Sequence, residues 1–247
     1  MPYRAAYPGR DTALFDVEGR KKDGCEEDGA GAMQDLKLGL YVITYDEHRL
    51  GRGHLDVAMA ALGGGADALQ LRDKKLGGRE MHRLARRIRE MVDERGGGCL
   101  FFVNDRVDVA LAARADGVHL GQEDMPAASA RSLAGGDLIM GISATTTEEA
   151  EVARADGADY LGVGPVFATP TKPDAVAPIG VEGLRRIKQA TGLPIVAIGG
   201  INEENARQVF EAGADGIAVI SAVTAAGDML EAVRRLRQVV DSCLAGR

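Results

Sequence analysis

The stretch GADALQL, residues 65–71, decides the fold because close copies of it recur along the chain. The copies are ADGVHL at 115–120, DGADYLGV at 156–163 and GADGIAV at 213–219, roughly 50 residues apart as in a repeated supersecondary unit. Glycine is suited to end a helix in the left-handed conformation, and the Ala-Asp pair then leads into an apolar run. The copies therefore predict four equivalent junctions from helix to strand.

Short apolar runs alternate with amphipathic segments from Leu38 to the end of the chain. In the segment at 78–96, Met81, Leu84, Ile88 and Met91 fall three or four residues apart, which is typical of a helix that covers a sheet. The short runs are apolar throughout, as expected for parallel strands buried on both faces. Their predicted ranges are 38–44, 68–72, 99–103, 117–120, 138–143, 160–164, 194–199 and 216–220.

Eight strands that alternate with helices predict a single (β/α)8 TIM barrel over residues 37–247, rather than an open doubly wound sheet. The four junctions precede strands 2, 4, 6 and 8, so we expect them at the bottom of the barrel, without a role in chemistry. Residues 1–36 mix charge and glycine without a periodic apolar face, which predicts a poorly ordered N-terminal extension. Met33 is an alternative start.

The composition excludes several classes of function. With a formal net charge of −7, 4% aromatic residues and no Trp, the chain is a poor candidate for a nucleic-acid surface. Its cysteines, Cys25, Cys99 and Cys243, have no metal-binding spacing and favour a reducing compartment. No run approaches the roughly 20 apolar residues of a membrane span, and no signal peptide is recognisable. We expect a soluble cytoplasmic protein that acts on small molecules, with its oligomeric state open.

The predicted strands end in polar residues, and active sites of such barrels form at these carboxyl ends. Asp105 follows strand 3 and Asp124 follows strand 4, so two carboxylates rise from neighbouring strand ends. Such a pair repels unless a cation lies between its members, and Mg²⁺ binds carboxylate, water and phosphate oxygens. The pair therefore indicates a Mg²⁺ site that faces Arg72 and Lys74. The alternative is that each Asp caps a helix or a turn.

Further residues at the strand ends indicate phosphate binding. Arg72, Lys74 and Lys172 place three cations on the rim of an acidic protein, which favours a substrate with several phosphate charges over surface salt bridges. The stretch AIGGINEENA, 197–206, puts two glycines before a helix predicted to begin near Asn202, and VIS follows at 219–221. Together these predict a separate monophosphate pocket after strands 7 and 8. His119 is interpreted as a core or supporting residue without a role.

Seven short motifs occur in order at the strand ends: QLRDK (70–74), ND (104–105), HLGQED (119–124), GIS (141–143), TPTK (169–172), IGG (198–200) and VIS (219–221). This set resembles the thiamine phosphate synthase family over about Leu38 to the C-terminus. The resemblance implies a (β/α)8 transferase. Such an enzyme joins 4-amino-5-hydroxymethyl-2-methylpyrimidine diphosphate to a thiazole monophosphate, giving thiamine phosphate and pyrophosphate.

The resemblance also implies roles for individual residues. Asp105 and Asp124 are implied as the Mg²⁺ ligands, and Arg72, Lys74 and Lys172 as the cations that stabilise the departing pyrophosphate. The implied contacts to the pyrimidine diphosphate are Gln70, Arg72, Lys74, Asn104, Ser143 and Lys172. The implied residues of the thiazole phosphate side are Thr169, Thr171, Gly200, Ile220 and Ser221.

One residue departs from the family pattern, and two other functions are alternatives to thiamine phosphate synthesis. The family commonly has Glu where this chain has Asp73, which shortens the side chain but keeps its charge. A thiazole tautomerase relative shares the barrel but has no need of the full diphosphate and metal set. A barrel without catalytic activity that senses thiamine precursors is the other alternative, with the N-terminal extension as its partner surface.

Overall fold

Eight parallel strands close into a barrel in the computed structural model, which describes residues 36–46, 50–136, 138–169 and 177–246. Each strand pairs with the next one in the chain, and β8 (Gly216–Val219) pairs with β1 (Leu40–Ile43) to complete the closure. The predicted TIM barrel is confirmed. Its compact unit spans Lys37–Arg247, and the predicted extension, apart from Leu36, lies outside the described residues.

The strands lie where the apolar runs predicted them, and no strand end differs from its predicted position by more than two residues. Besides β1 and β8, the strands are β2 (Ala68–Leu71), β3 (Leu100–Asn104), β4 (Gly117–Leu120), β5 (Ile139–Ala144), β6 (Tyr160–Val163) and β7 (Ile195–Ile198). β4 has the predicted bounds, whereas β3 and β5 each continue one residue further than predicted. Because every strand runs in the same direction, their carboxyl ends meet at one mouth of the barrel.

Helices cover the outside of the barrel. In α2 the predicted apolar stripe is present, with Met81 and Ile88 buried and Leu84 and Met91 packed at its margin. No helix in the described part of the chain is both long and apolar enough to cross a membrane. The helices are α1 (His54–Gly64), α2 (Gly78–Glu94), α3 (Val107–Ala113), α4 (Ala127–Ala134), α5 (Thr147–Ala155), α6 (Gly180–Thr191), α7 (Ala206–Glu211), α8 (Ser221–Thr224) and α9 (Met229–Leu244).

The four repeated junctions are equivalent, and the aspartate of each one is a structural clamp. Asp116 Oδ2 accepts a hydrogen bond from the backbone N–H of Phe101 at 2.7 Å and another from Arg89 Nη1 at 2.9 Å. One carboxylate thereby joins the start of an even strand, the start of the preceding odd strand and a helix. The other clamps join Asp67 to Leu40 and Arg237, Asp159 to Met140 and Arg131, and Asp215 to Ile195 and Lys188.

Each junction also contains a residue in the left-handed conformation, but it is not always glycine. The φ angles are 86° at Gly65, 88° at Gly157 and 104° at Gly213, as the repeat predicted. In the second junction the left-handed residue is Arg114, with a φ of 56°, so a non-glycine residue takes this conformation there. The adjoining clamp, in which Asp116 accepts hydrogen bonds from Phe101 N–H and Arg89, accompanies this less favourable residue.

We expect Asp116→Ala to lower the free energy of unfolding by about 2–4 kcal/mol, because Phe101 N–H loses its acceptor and the largely buried Arg89 loses a counter-charge. Chemical denaturation measures this loss. The control is Asp108→Ala, because Asp108 is exposed and pairs with Arg106; its removal should change stability by about 0–1 kcal/mol. Equal losses in the two variants would contradict the clamp.

Candidate active site

Two adjoining hollows open to solvent at the carboxyl ends of the strands. The first hollow, about 470 Å³, is lined on its polar side by Gln70, Arg72, Asn104, His119 and Ser143. The second hollow, about 460 Å³, is lined by residues that include Thr169, Gly199 and Ser221. The two share Ile198, Ala218 and Ile220 in their walls. The barrel mouth can therefore hold two small molecules side by side.

A chain of hydrogen bonds crosses the floor of the first hollow from β2 to β5. Gln70 Nε2 donates to Tyr41 Oη at 2.9 Å, and Tyr41 Oη lies 3.1 Å from Tyr160 Oη. Tyr160 Oη lies 3.0 Å from His119 Nδ1, and His119 Nε2 lies 3.0 Å from Ser143 Oγ. Burial raises the pKa of both tyrosines, so both phenols stay protonated. Donation in one direction, from Gln70 to Ser143, satisfies every bond of the chain.

Two carboxyl groups meet at the edge of this hollow. Asp105 continues β3 with its N–H bonded to the carbonyl of His119 at 2.8 Å, and its φ of 62° places it in the left-handed region. Asp124 ends a turn after β4, where its Oδ2 accepts the N–H of Gly121 at 2.7 Å. The two carboxyl groups interact with each other, and Lys74 Nζ lies 3.2 Å from Asp105 Oδ2.

The electrostatics of the pair favour a bound cation. Burial raises the pKa of Asp105 to about 6, the carboxylate of Asp124 adds to the increase, and Lys74 opposes it. Burial acts to raise the pKa of Asp124 as well, but hydrogen bonds from Asp105 and Gly121 outweigh it and the pKa is lowered. The pair therefore loses its first proton at low pH and its second only at higher pH, as two carboxyl groups in contact do.

The second hollow is lined by backbone at the ends of β7 and β8. Gly199 and Gly200 have φ angles of 101° and 65°, and Asn205 Nδ2 donates to the Gly200 carbonyl at 2.9 Å. Helix α7 begins at Ala206, so the prediction of a start near Asn202 is wrong. The Asn202 side chain accepts the N–H groups of residues 204 and 205 and forms a turn there.

A family model described as thiamine monophosphate synthase matches residues 40–223, from β1 into α8. The chain belongs to the thiamine monophosphate synthase family. The match includes every element that lines the two hollows. The resemblance based on seven short motifs is thereby confirmed at the level of the family.

This chain matches relatives in the thiamine monophosphate synthase family over nearly the whole length of those relatives. A protein of Moorella thermoacetica named thiamine-phosphate synthase is 56% identical over 201 residues, which are 81% of this chain and 95% of that protein. A protein of Pyrococcus furiosus with the same name is 50% identical over 208 residues, 84% of this chain and 97% of that one.

Solved structures agree with this assignment. Thiamine phosphate pyrophosphorylase from Pyrococcus furiosus superposes with a TM-score of 0.77 at 49% identity and covers 85% of this chain and 98% of that one. A 3-hexulose-6-phosphate synthase at 18% identity and a TM-score of 0.58 shares the barrel fold alone.

Most residues predicted for the site in this thiamine monophosphate synthase family member lie at the barrel mouth. The first hollow contains Gln70, Arg72, Asn104 and Ser143, and the acidic pair with Lys74 lies at its edge. The second hollow contains Thr169, Ile220 and Ser221, but its wall includes Gly199 where Gly200 was predicted. Thr171 and Lys172 lie outside the described residues.

Sequence reasoning missed two residues of the mouth, Tyr41 and Tyr160, and assigned no role to a third, His119. All three carry a polar group inside an apolar strand, and a buried Tyr or His needs a hydrogen-bond partner. That requirement was the available signal, but the partners lie up to 119 residues apart in the chain. The strand-end motifs do not include Tyr41 and Tyr160 because these residues lie inside strands, whereas His119 is the first residue of HLGQED.

Proposed function

We propose that the barrel mouth is the active site of a thiamine-phosphate synthase, a transferase that makes thiamine phosphate and pyrophosphate. The substrates are 4-amino-5-hydroxymethyl-2-methylpyrimidine diphosphate and 4-methyl-5-(2-phosphooxyethyl)thiazole. The observation that carries the proposal is the pair of adjoining hollows: Asn104 lines the first and is followed directly by Asp105 of the acidic pair, and Gly199 and Ser221 line the second. The names of the relatives at 50–56% identity support the same reaction.

The first hollow takes the pyrimidine diphosphate. Gln70, Asn104 and Ser143 offer amide and hydroxyl groups to the ring, and Arg72 lies beside them in the wall. Arg72, Lys74 and Lys172 are the cations assigned to the diphosphate. Lys74 is half exposed and reaches the acidic pair, so it can interact with a phosphate group held there.

The acidic pair fits a magnesium ion. Mg²⁺ in proteins commonly has one or two carboxylate ligands and completes its shell with waters and substrate phosphates. Asp105 and Asp124 supply two such carboxylates, and their mutual repulsion favours an added cation. Within the described ranges no group of three or more His, Cys, Asp or Glu side chains could hold a metal, so these two are the proposed ligands. When bound, Mg²⁺ supplies charge neutralisation on the diphosphate oxygens.

The reaction that this arrangement supports begins with loss of pyrophosphate. The bond between the methylene carbon and the diphosphate oxygen breaks, and the oxygen leaves with the electron pair. The electron-rich aminopyrimidine stabilises the resulting methylene cation, and the thiazole nitrogen donates its electron pair to form the new C–N bond. Arg72, Lys74 and Lys172 stabilise the charge that develops on the leaving group. No strong general base is needed.

The second hollow takes the thiazole phosphate. Ser221 begins α8, and Thr169, Thr171, Gly200 and Ile220 are the other residues assigned to this side. Because Ile220 also lines the first hollow, it lies where the two substrates meet. This shared wall holds the thiazole nitrogen near the methylene carbon and favours capture of the cation over its reaction with water.

Pyrophosphate release from the two substrates, with and without Mg²⁺, tests the proposal. We expect release that requires both substrates and the metal, with thiamine phosphate formed in equal amount. Conversion of the thiazole substrate alone would indicate a tautomerase, and binding without turnover would indicate a sensor. The free thiols of Cys99 and Cys243 support a reducing, cytoplasmic setting for the reaction.

The acidic pair also predicts a pH dependence of Mg²⁺ binding. Mg²⁺ binds the ionised carboxylates, and the pKa of Asp105 is raised to about 6, so protons compete with the metal below that pH. We expect constant affinity above pH 7 and a loss of about tenfold per pH unit below pH 6. The rise in Tm with Mg²⁺ concentration measures this affinity without substrates. Equal half-effect concentrations at pH 5 and pH 8 would contradict the assignment.

A further inference from the structure

His54 connects the end of β1 to the loop after β2, although it lies outside both hollows. Its side chain is 4% exposed at the start of α1. His54 Nδ1 lies 2.8 Å from Thr44 Oγ1, and His54 Nε2 lies 3.1 Å from Asp73 Oδ2. A buried imidazole with a partner on each nitrogen has a fixed orientation.

Asp73 shapes the loop that carries Arg72 and Lys74. Its Oδ1 accepts the N–H groups of Lys75 at 2.7 Å and Leu76 at 2.8 Å, while its Oδ2 faces His54. Burial acts to raise the pKa of Asp73, but these hydrogen bonds and the one from His54 outweigh it and the pKa is lowered. The carboxylate therefore stays charged and holds the turn that follows Arg72.

The backbone of Arg72 is fixed from the same place. Arg72 N–H donates to Thr44 Oγ1 at 3.3 Å, so the Thr44 hydroxyl proton is available for His54 Nδ1. A neutral His54 with its proton on Nε2 then donates to Asp73, and all three hydrogen bonds are satisfied. Thr44 is fully buried, so this Asp-His-Thr arrangement is unsuited to nucleophilic attack on a substrate.

We propose that His54 is a positioning residue for the diphosphate-binding loop, an inference that rests on the proposed function of Arg72 and Lys74. Through Asp73 it fixes the turn at residues 73–76, and through Thr44 it fixes the backbone of Arg72. Arg72, which lines the first hollow, and Lys74, which pairs with Asp105, are then in place before substrate binds. His54 itself touches no reacting atom.

Two substitutions separate the two nitrogens of His54. The amide of His54→Gln reaches the place of Nε2 and can still donate to Asp73, whereas the amide of His54→Asn reaches only the place of Nδ1. We expect His54→Asn to lower kcat/KM for the pyrimidine diphosphate by about tenfold, since it loses a hydrogen bond to a charged group. His54→Gln should retain most of this activity. The KM for the thiazole phosphate should stay within about twofold of the wild-type value in both variants.

Val57→Ala is the matched control because Val57 is fully buried in the same helix and lies outside both hollows. It lowers stability through a packing defect alone, so a merely structural role of His54 would give His54→Asn the same kinetics as this control. Equal effects of His54→Asn on the two substrates, or equal activity of the Asn and Gln variants, would overturn the proposal.

A second variant covers the case in which His54→Asn does not fold. Asp73→Asn keeps an oxygen for the loop N–H groups but presents an amide N–H to His54. We expect the same selective loss for the pyrimidine diphosphate, and kinetics unchanged from wild type would overturn the proposal. If the wild-type protein releases no pyrophosphate at all, the proposed function fails. If wild type is active and the variants lack the selective loss, only the role of His54 fails.

Discussion

Asp124→Asn should reduce turnover on the order of 10²-fold at physiological Mg²⁺ and raise the Mg²⁺ concentration needed for half-maximal rate. The change replaces one of two carboxylates at the edge of the first hollow with a neutral amide. The fold should persist, because the Asn oxygen can still accept the N–H of Gly121. Initial rates of pyrophosphate release over a series of Mg²⁺ concentrations measure both effects.

Glu123→Gln is the control for this prediction. Glu123 is exposed and adjacent in the chain, so its substitution removes the same charge without touching the acidic pair. It should leave the Mg²⁺ dependence unchanged. An Asp124→Asn variant with the wild-type Mg²⁺ response would remove Asp124 from the proposed metal site.

Gly200→Ala should raise the KM for the thiazole phosphate by about tenfold or more and leave the KM for the pyrimidine diphosphate nearly unchanged. A Cβ on Gly200 would lie 2.6 Å from the carbonyl oxygen of Ala168 and 2.8 Å from Phe167 Cβ. The loop after β6, which leads to Thr169 in the second hollow, must therefore move. The obstacle to a side chain at position 200 is therefore this loop.

Gly192→Ala separates this contact from backbone strain. Gly192 has a φ of 67°, nearly that of Gly200, but a Cβ there has no neighbour within 4 Å. At both positions, alanine in the left-handed conformation destabilises the fold by about 1–2 kcal/mol. Similar thiazole KM values in the two variants would show that strain alone acts and that the second hollow is misassigned.

The barrel and the place of the acidic pair were predictable because strand order in the chain equals strand order in space. Asp105 and Asp124 follow consecutive strands, so their proximity requires no knowledge of side-chain packing. The hydrogen-bond chain on the floor was not predictable in this way. It depends on Tyr41 and Tyr160 reaching across the interior from strands that are not neighbours.

The link from His54 to Asp73 was beyond sequence reasoning for another reason. His54 begins α1 and Asp73 lies in the loop after β2. A polar residue at either kind of position has many ordinary roles. Their pairing depends on the conformation of the loop after β2, which Asp73 itself determines through Lys75 and Leu76. The Arg114 junction is similar, since the sequence shows the arginine but only the structure shows its left-handed backbone.

The sequence separation within each aspartate clamp sets the order in which the four clamps can form while the chain is being synthesised. Three of them join residues 27 or 28 positions apart, so each can form soon after its own segment emerges. The first clamp joins Asp67 to Arg237 across 170 positions and must wait for the last helix. Asp67 therefore stays without its cationic partner until α9 has been synthesised, and the first clamp is the last of the four to form.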